Sequence, residues 1–189
     1  MSIRLFVALD LHEEIREAIR DLIAHLKPAG KGARWVRPES LHLTLKFIGY
    51  VGEERVEAIR SALAPVRSQR PVNLLFRGIG FFPNDKRPRV IWCGVESSTN
   101  LAPLAHAVER ALEALGIPLE SRDFVPHLTL ARCTKPDKAP ELGRAAAESR
   151  DLEFGSAQET EFHLYESILR PSGAEYRKLA SFPFVEGTE

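Results

Sequence analysis

The sequence predicts an α+β protein: a bilobal, pseudo-twofold duplicated fold in which antiparallel sheets flanked by helices enclose a central cleft. Three observations predict it. The tetrapeptide His-Leu-Thr-Leu occurs twice, at His42-Leu43-Thr44-Leu45 and at His127-Leu128-Thr129-Leu130. The patterning around each copy runs strand, helix, motif strand, helix, strand, over residues 4–82 and again over 89–169. The remaining segment turns back at Pro171-Ser172-Gly173 into a closing strand, so some pairing must be antiparallel. Together these give one domain, 1–189, with approximate halves 1–85 and 86–189.

The elements follow in order. Leu5 to Leu9 is a short apolar run, a buried strand. Asp10 opens a helix with Glu13 at capping-box spacing. Leu11, Ile15, Ile19, Leu22, Ile23 and Leu26 share its buried stripe, and Pro28, Gly30 and Gly32 end it. Arg34-Trp35-Val36-Arg37-Pro38 is extended and leads into the first motif strand, which runs on to Ile48. Val56, Ile59, Leu63 and Val66 mark a second amphipathic helix within 53–66. Val72 to Phe82 is a long strand, Phe82-Pro83-Asn84-Asp85 a turn, and Arg89 to Val95 the next strand. Leu101, Leu104, Val108, Leu112 and Leu115 form the stripe of a third helix, stopped by Gly116. Phe124-Val125-Pro126 enters the second motif strand, which reaches Cys133. A weaker helix over 136–149, interrupted by Pro140 and Gly143, precedes one long strand over 155–169 and a last strand over 176–184.

Composition narrows the function classes. The 26 Lys+Arg balance 26 Asp+Glu, so bulk attraction to long nucleic acid is not expected, although a local basic cleft is compatible with neutrality. The N-terminal apolar run is too short for a signal peptide or membrane span, which points to a cytoplasmic protein with no membrane partner. Cys93 and Cys133 lack metal-ligand spacing and read as buried thiols. A GxxxxGK[ST] loop is absent, so ATP use is not indicated.

The chemistry rests on the repeated motif. In a strand, side chains at i and i+2 share a face, so each copy turns a His and a Thr one way and two leucines the other. Leucines enter a core; two imidazoles and two hydroxyls then line one cleft. Imidazole, with a pKa near ~6.5, suits general acid–base work near neutrality. In-line displacement at a phosphodiester needs one base for the attacking water and one acid for the leaving oxygen. Neutral threonine hydroxyls can donate to phosphate oxygens. A strained cyclic phosphate would open without a nucleophilic Ser or Cys. Two histidines without carboxylates fall short of a zinc set, so no metal and no cofactor is expected. By parity Lys46 shares the face of His42 and Thr44, and faces either the cleft or solvent. Phe47 falls on the core side. Trp35, Phe82 and Trp92 are either core or stacking platforms for a base. His12, His25 and His106 read as surface residues and His163 as structural.

With these residues the chain resembles the two-histidine (2H) phosphoesterase superfamily, defined by paired His-x-Thr/Ser-x motifs. Within it the chain is similar to RNA 2′,3′-cyclic phosphodiesterases of the 2′-5′ RNA ligase type. The likeness extends to Arg4-Leu5-Phe6-Val7-Ala8, Arg34-Trp35-Val36-Arg37-Pro38, Lys46-Phe47-Ile48-Gly49, Gly78-Ile79-Gly80-Phe81-Phe82-Pro83, Pro88-Arg89-Val90-Ile91-Trp92 and Ala131-Arg132. It implies metal-independent hydrolysis of RNA 2′,3′-cyclic phosphate ends to 2′-phosphates, and ATP-independent 2′-5′ joining when a 5′-hydroxyl replaces water. It implies His42 as proton donor, His127 as proton acceptor, and Thr44, Thr129 and Arg132 as phosphate-binding residues. Parity puts Arg132 on the wrong face unless a bulge intervenes. The alternatives are another cyclic nucleotide or a 2′-5′ oligonucleotide as substrate, or a non-catalytic module that only binds RNA ends. A monomer is expected.

Overall fold

A computed structural model describes residues 1–134, 140–171 and 173–184. Its strands are β1 (Ser2–Leu9), β2 (Ala33–Trp35), β3 (Leu43–Gly52), β4 (Val72–Phe82), β5 (Val90–Ser97), β6 (His127–Cys133), β7 (Glu153–Glu159), β8 (Glu161–Arg170) and β9 (Gly173–Pro183). Its helices are α1 (Glu13–Leu26), α2 (Val56–Leu63), α3 (Leu101–Glu113) and α4 (Pro140–Glu148). Residues 136–139, expected in the fourth helix, and Ser172 of the expected last turn lie outside the described residues.

The strands form two antiparallel sheets, ordered β3-β1-β8-β9 and β2-β6-β5-β4-β7, which confirms the α+β class. Helices α1 and α4 pack with the second sheet through β7 and β4; α2 and α3 pack together beside β3 of the first. One apolar core fills the space between, from Leu5, Val7 and Leu9 on β1 to Ile91 and Cys93 on β5 and Leu128 and Leu130 on β6. Each sheet draws strands from both sides of residue 85. The motif strand β3 and β1 are joined by β8, and β6 and β5 are joined by β4. The twofold relation is therefore between interleaved sets of strands.

Four local readings change. The single strand expected over 155–169 is two, split at Thr160. Polar β7 pairs with β4 at a sheet edge, whereas apolar Phe162 and Leu164 of β8 are fully buried beside β1. The first helix has no capping box. Its N-cap is His12, without a side-chain cap, because Asp10 accepts hydrogen bonds from Tyr165 and Lys178 instead.

Lys46 faces neither cleft nor solvent. Opposite β1, Ala8 pairs with Thr44 but Val7 pairs with Lys46, so Leu45 is an extra residue, a β-bulge. The bulge inverts parity. Lys46 goes inward, 4% exposed, and donates to Glu109 and to the Pro118 carbonyl, both at 2.8 Å. Burial alone would raise the Glu109 carboxyl, but the ammonium and the Glu120 amide outweigh it and hold Glu109 below its usual value. Phe47, expected in the core, turns out to solvent instead and is 46% exposed.

The second motif strand repeats the device. Trp92 pairs with Thr129 and Ile91 with Ala131, leaving Leu130 as the extra residue. Leu130 and Ala131 are both buried in succession, and Arg132 swings to the exposed side. Phe47 and Arg132 thus occupy equivalent positions, five residues beyond each motif histidine.

Candidate active site

One pocket collects both motifs: His42, Thr44, His127, Thr129 and Arg132 all line it. Phe6 and Arg4 of β1, Phe47 of β3, Ser167 of β8 and Tyr176 of β9 complete its first-sheet side. No carboxylate is among the described residues that line it.

The two histidines are held alike. His42 Nδ1 lies 2.9 Å from the Ser40 carbonyl, and His127 Nδ1 lies 2.7 Å from the Val125 carbonyl. Each is the carbonyl two residues back, and a carbonyl can only accept. Nδ1 therefore carries the proton in both rings, leaving Nε2 as the atom that takes or gives one.

Their surroundings differ. His42 packs 4.4 Å from the Phe6 ring and 5.0 Å from Tyr176, edge-on to the latter. Burial pushes its pKa down to about 4, Arg16 adds to this, and the Ser40 bond and Asp10 oppose it. His127 stands edge-on to Phe82 at 5.2 Å and near Trp92 at 6.3 Å. Phe82 and Trp92 are thus neither pure core nor part of the pocket lining: they brace the second histidine. Trp35 is half-buried against the core.

The phosphate-binding candidates are available. Thr44 and Thr129 side chains make no hydrogen bond among the described residues. Arg132 reaches the pocket by the Leu130 bulge. Arg4 went unnoticed as a site residue because its strand reads as plain core. It donates to Ser167 Oγ at 3.3 Å and its guanidinium lies 4.7 Å over the Phe47 ring. Burial raises the Tyr176 hydroxyl, while Arg4 and Arg132 pull it the other way, so the pocket is electropositive despite the neutral chain. Ser167 and Tyr176 had no sequence signal; only pairing of β8 and β9 beside β1 brings them here.

The remaining histidines lie outside the pocket. His12, His25 and His106 are exposed on the surface. His163 is buried, bonded through Nδ1 to Ser181 Oγ at 2.9 Å with Nε2 3.4 Å from Asp10. Cys93 is buried, which pushes its thiol up to about 12, and Cys133 is half-buried. Among the described residues, no three His, Cys, Asp or Glu side chains gather as a metal-ligand group, and no helix is long and apolar enough to cross a membrane.

Comparisons with known proteins converge on this pocket's fold. The family described as "LigT like Phosphoesterase" matches residues 9–92 and again 94–176. An RNA 2′,3′-cyclic phosphodiesterase of Archaeoglobus fulgidus is 38% identical over 179 residues, covering 95% of this chain and 99% of that protein. The crystal structure of TT0787 of Thermus thermophilus superposes with a TM-score of 0.81 at 31% identity, covering 98% of this chain and 100% of that one. E. coli LigT complexed with 3′-AMP gives a TM-score of 0.79 at 28% identity, with 98% and 100% covered.

Proposed function

This chain belongs to the LigT-like phosphoesterase family, and from that premise we propose that it is an RNA 2′,3′-cyclic phosphodiesterase leaving 2′-phosphate ends. The observation that carries this reading is the pair of identically tethered imidazoles in one pocket with two threonine hydroxyls and a guanidinium, and with no carboxylate among its described lining residues.

The reaction we infer assigns the two histidines complementary roles. His127 Nε2 takes a proton from water as the oxygen attacks phosphorus. The bond from phosphorus to the ribose 3′-oxygen breaks, and His42 Nε2 delivers its proton there. The 2′-ester survives as a 2′-phosphate. Thr44, Thr129 and Arg132 donate to the non-bridging oxygens, whose charge rises in the transition state. No metal or cofactor takes part. A 5′-hydroxyl in the place of water, losing its proton to His127 as the 3′-oxygen leaves with the proton of His42, yields a 2′-5′ linkage without ATP. We infer a monomer acting in the cytoplasm.

The test is an oligoribonucleotide ending in 2′,3′-cyclic phosphate, incubated with the protein and a chelator. A 2′-phosphate product is expected. A 3′-phosphate product overturns the roles given to the histidines, and inhibition by chelator overturns the metal-free reaction. Replacing either His42 or His127 by Ala should lower turnover by roughly 10²–10⁴-fold with circular dichroism unchanged. Near-normal turnover in one variant would show that the histidines do not work as a pair.

A further inference from the structure

The two sheets are alike except at one edge. Beyond β6 lies an extra strand, β2, and among the described residues nothing equivalent lies beyond β3. The middle residue of β2 is Arg34, and its direct cross-strand partner is Arg132. Directly opposed residues project from the same face of a sheet. Val36, two residues on, has the same parity, follows the β6 edge by donating to the Leu130 carbonyl and lines the catalytic pocket. Arg34 is therefore on the pocket side, one step beyond Arg132.

Two like charges directly opposite each other destabilise a sheet. Elsewhere on these sheets the protein neutralises strand arginines: Arg77 lies opposite Glu153, Arg177 opposite Glu166, and Arg170 pairs diagonally with Glu175. Among the described residues neither Arg34 nor Arg132 has an acidic partner, and the residue opposite Arg132 on its other side is Val90. A guanidinium pair at this spacing, one fork in the pocket and one outside, matches a second phosphate adjoining the first.

We propose that Arg34, with Arg132, forms a subsite for the phosphodiester that links the terminal nucleotide of an RNA substrate to its 5′ neighbour. This rests on the function proposed above and deepens it: the pocket recognises the cyclic end, and the extra strand recognises that the end belongs to a chain.

Two ligand pairs test it. For turnover the pair is cytidine 2′,3′-cyclic phosphate and the dinucleotide ApC ending in 2′,3′-cyclic phosphate. For binding, read by calorimetry without any reaction, the pair is 2′-CMP and ApC ending in 2′-phosphate. In the Arg34→Ala variant, kcat/KM and affinity for the dinucleotides should fall about tenfold, the size of a charge-assisted contact. Values for the mononucleotides should stay within about twofold. The slope of log affinity against log salt for the dinucleotide should flatten by about one, and Arg34→Lys should restore part of the loss. Equal losses on both members of a pair, or no loss on either, overturn the subsite. If the wild-type protein binds the dinucleotide product more tightly in an Arg34-dependent way yet hydrolyses neither cyclic ligand, the subsite stands and the hydrolytic reading falls.

Discussion

Burial against Phe6 and Tyr176 keeps His42 neutral at pH 7 in the free protein, so a donor at this position must acquire its proton when the ligand arrives. A phosphate anion in the pocket supplies the reason: it favours the imidazolium and opposes the desolvation that lowered the pKa. The sign is clear. A group with a pKa of about 4 when free, and charged in the complex, takes up a proton on binding at any pH between. Calorimetric binding of 2′-AMP at pH 7 in buffers of different ionisation enthalpy should show net uptake, approaching one proton, that His42→Ala abolishes. If no proton is taken up, His42 is not the proton donor proposed for it. The motif residues were the most legible part of the sequence, since four of them repeat verbatim. The order of the two histidines was not legible, because identical tetrapeptides differ only through what packs around them.

At the scale of the element, the bulges at Leu45 and Leu130 decide which side chains reach the pocket. Strand parity reads correctly from His42 to Thr44 and from His127 to Thr129, and fails one residue later in both strands. A period of two carries no mark of an inserted residue, so Lys46, Phe47 and Arg132 were all assigned to the wrong side by parity alone. Aligning the two copies held the missing signal: positions four and five beyond each histidine are Lys46-Phe47 and Ala131-Arg132, and one structural rule must serve both. β4 bears on the site through Gly80, whose absent side chain admits the Trp92 indole against the backbone. A Cβ at Gly80 would drive that ring away and loosen the wall behind His127. Gly80→Ala is therefore expected to cost about 1–3 kcal/mol in denaturant-induced unfolding. It should also lower turnover at least tenfold, whereas an unchanged rate would show that Trp92 does not position the histidine.

At the scale of the whole molecule, the order of elements was readable but their partners were not. Amphipathic pattern tells a strand which face is buried and says nothing of which strand lies beside it. Hence β4 and β8, each the closing strand of its sequence repeat, join the sheet built around the other motif. The exchange makes the halves interdependent. A fragment of residues 1–86 keeps β1 and β3 but loses β8, and carries β4 without β5 or β7. It should show no cooperative unfolding transition alone, while the whole chain melts in a single step with coincident far- and near-ultraviolet signals. A stable, cooperative fragment would mean that the halves fold independently.

The position of β1 also bears on how the protein is made. β1 lies between β3 and β8, so during translation its β3 side can pair early while its other edge waits for residues 161–170. At cellular elongation rates that delay is on the order of ten seconds. Throughout it, a ribosome-bound nascent chain offers Leu5, Val7 and Leu9 on a strand with one open hydrogen-bonding edge, the kind of edge on which chains aggregate. Synonymous codons that slow elongation between residues 52 and 161 are therefore expected to lower the soluble yield of folded protein, measured against the unaltered coding sequence.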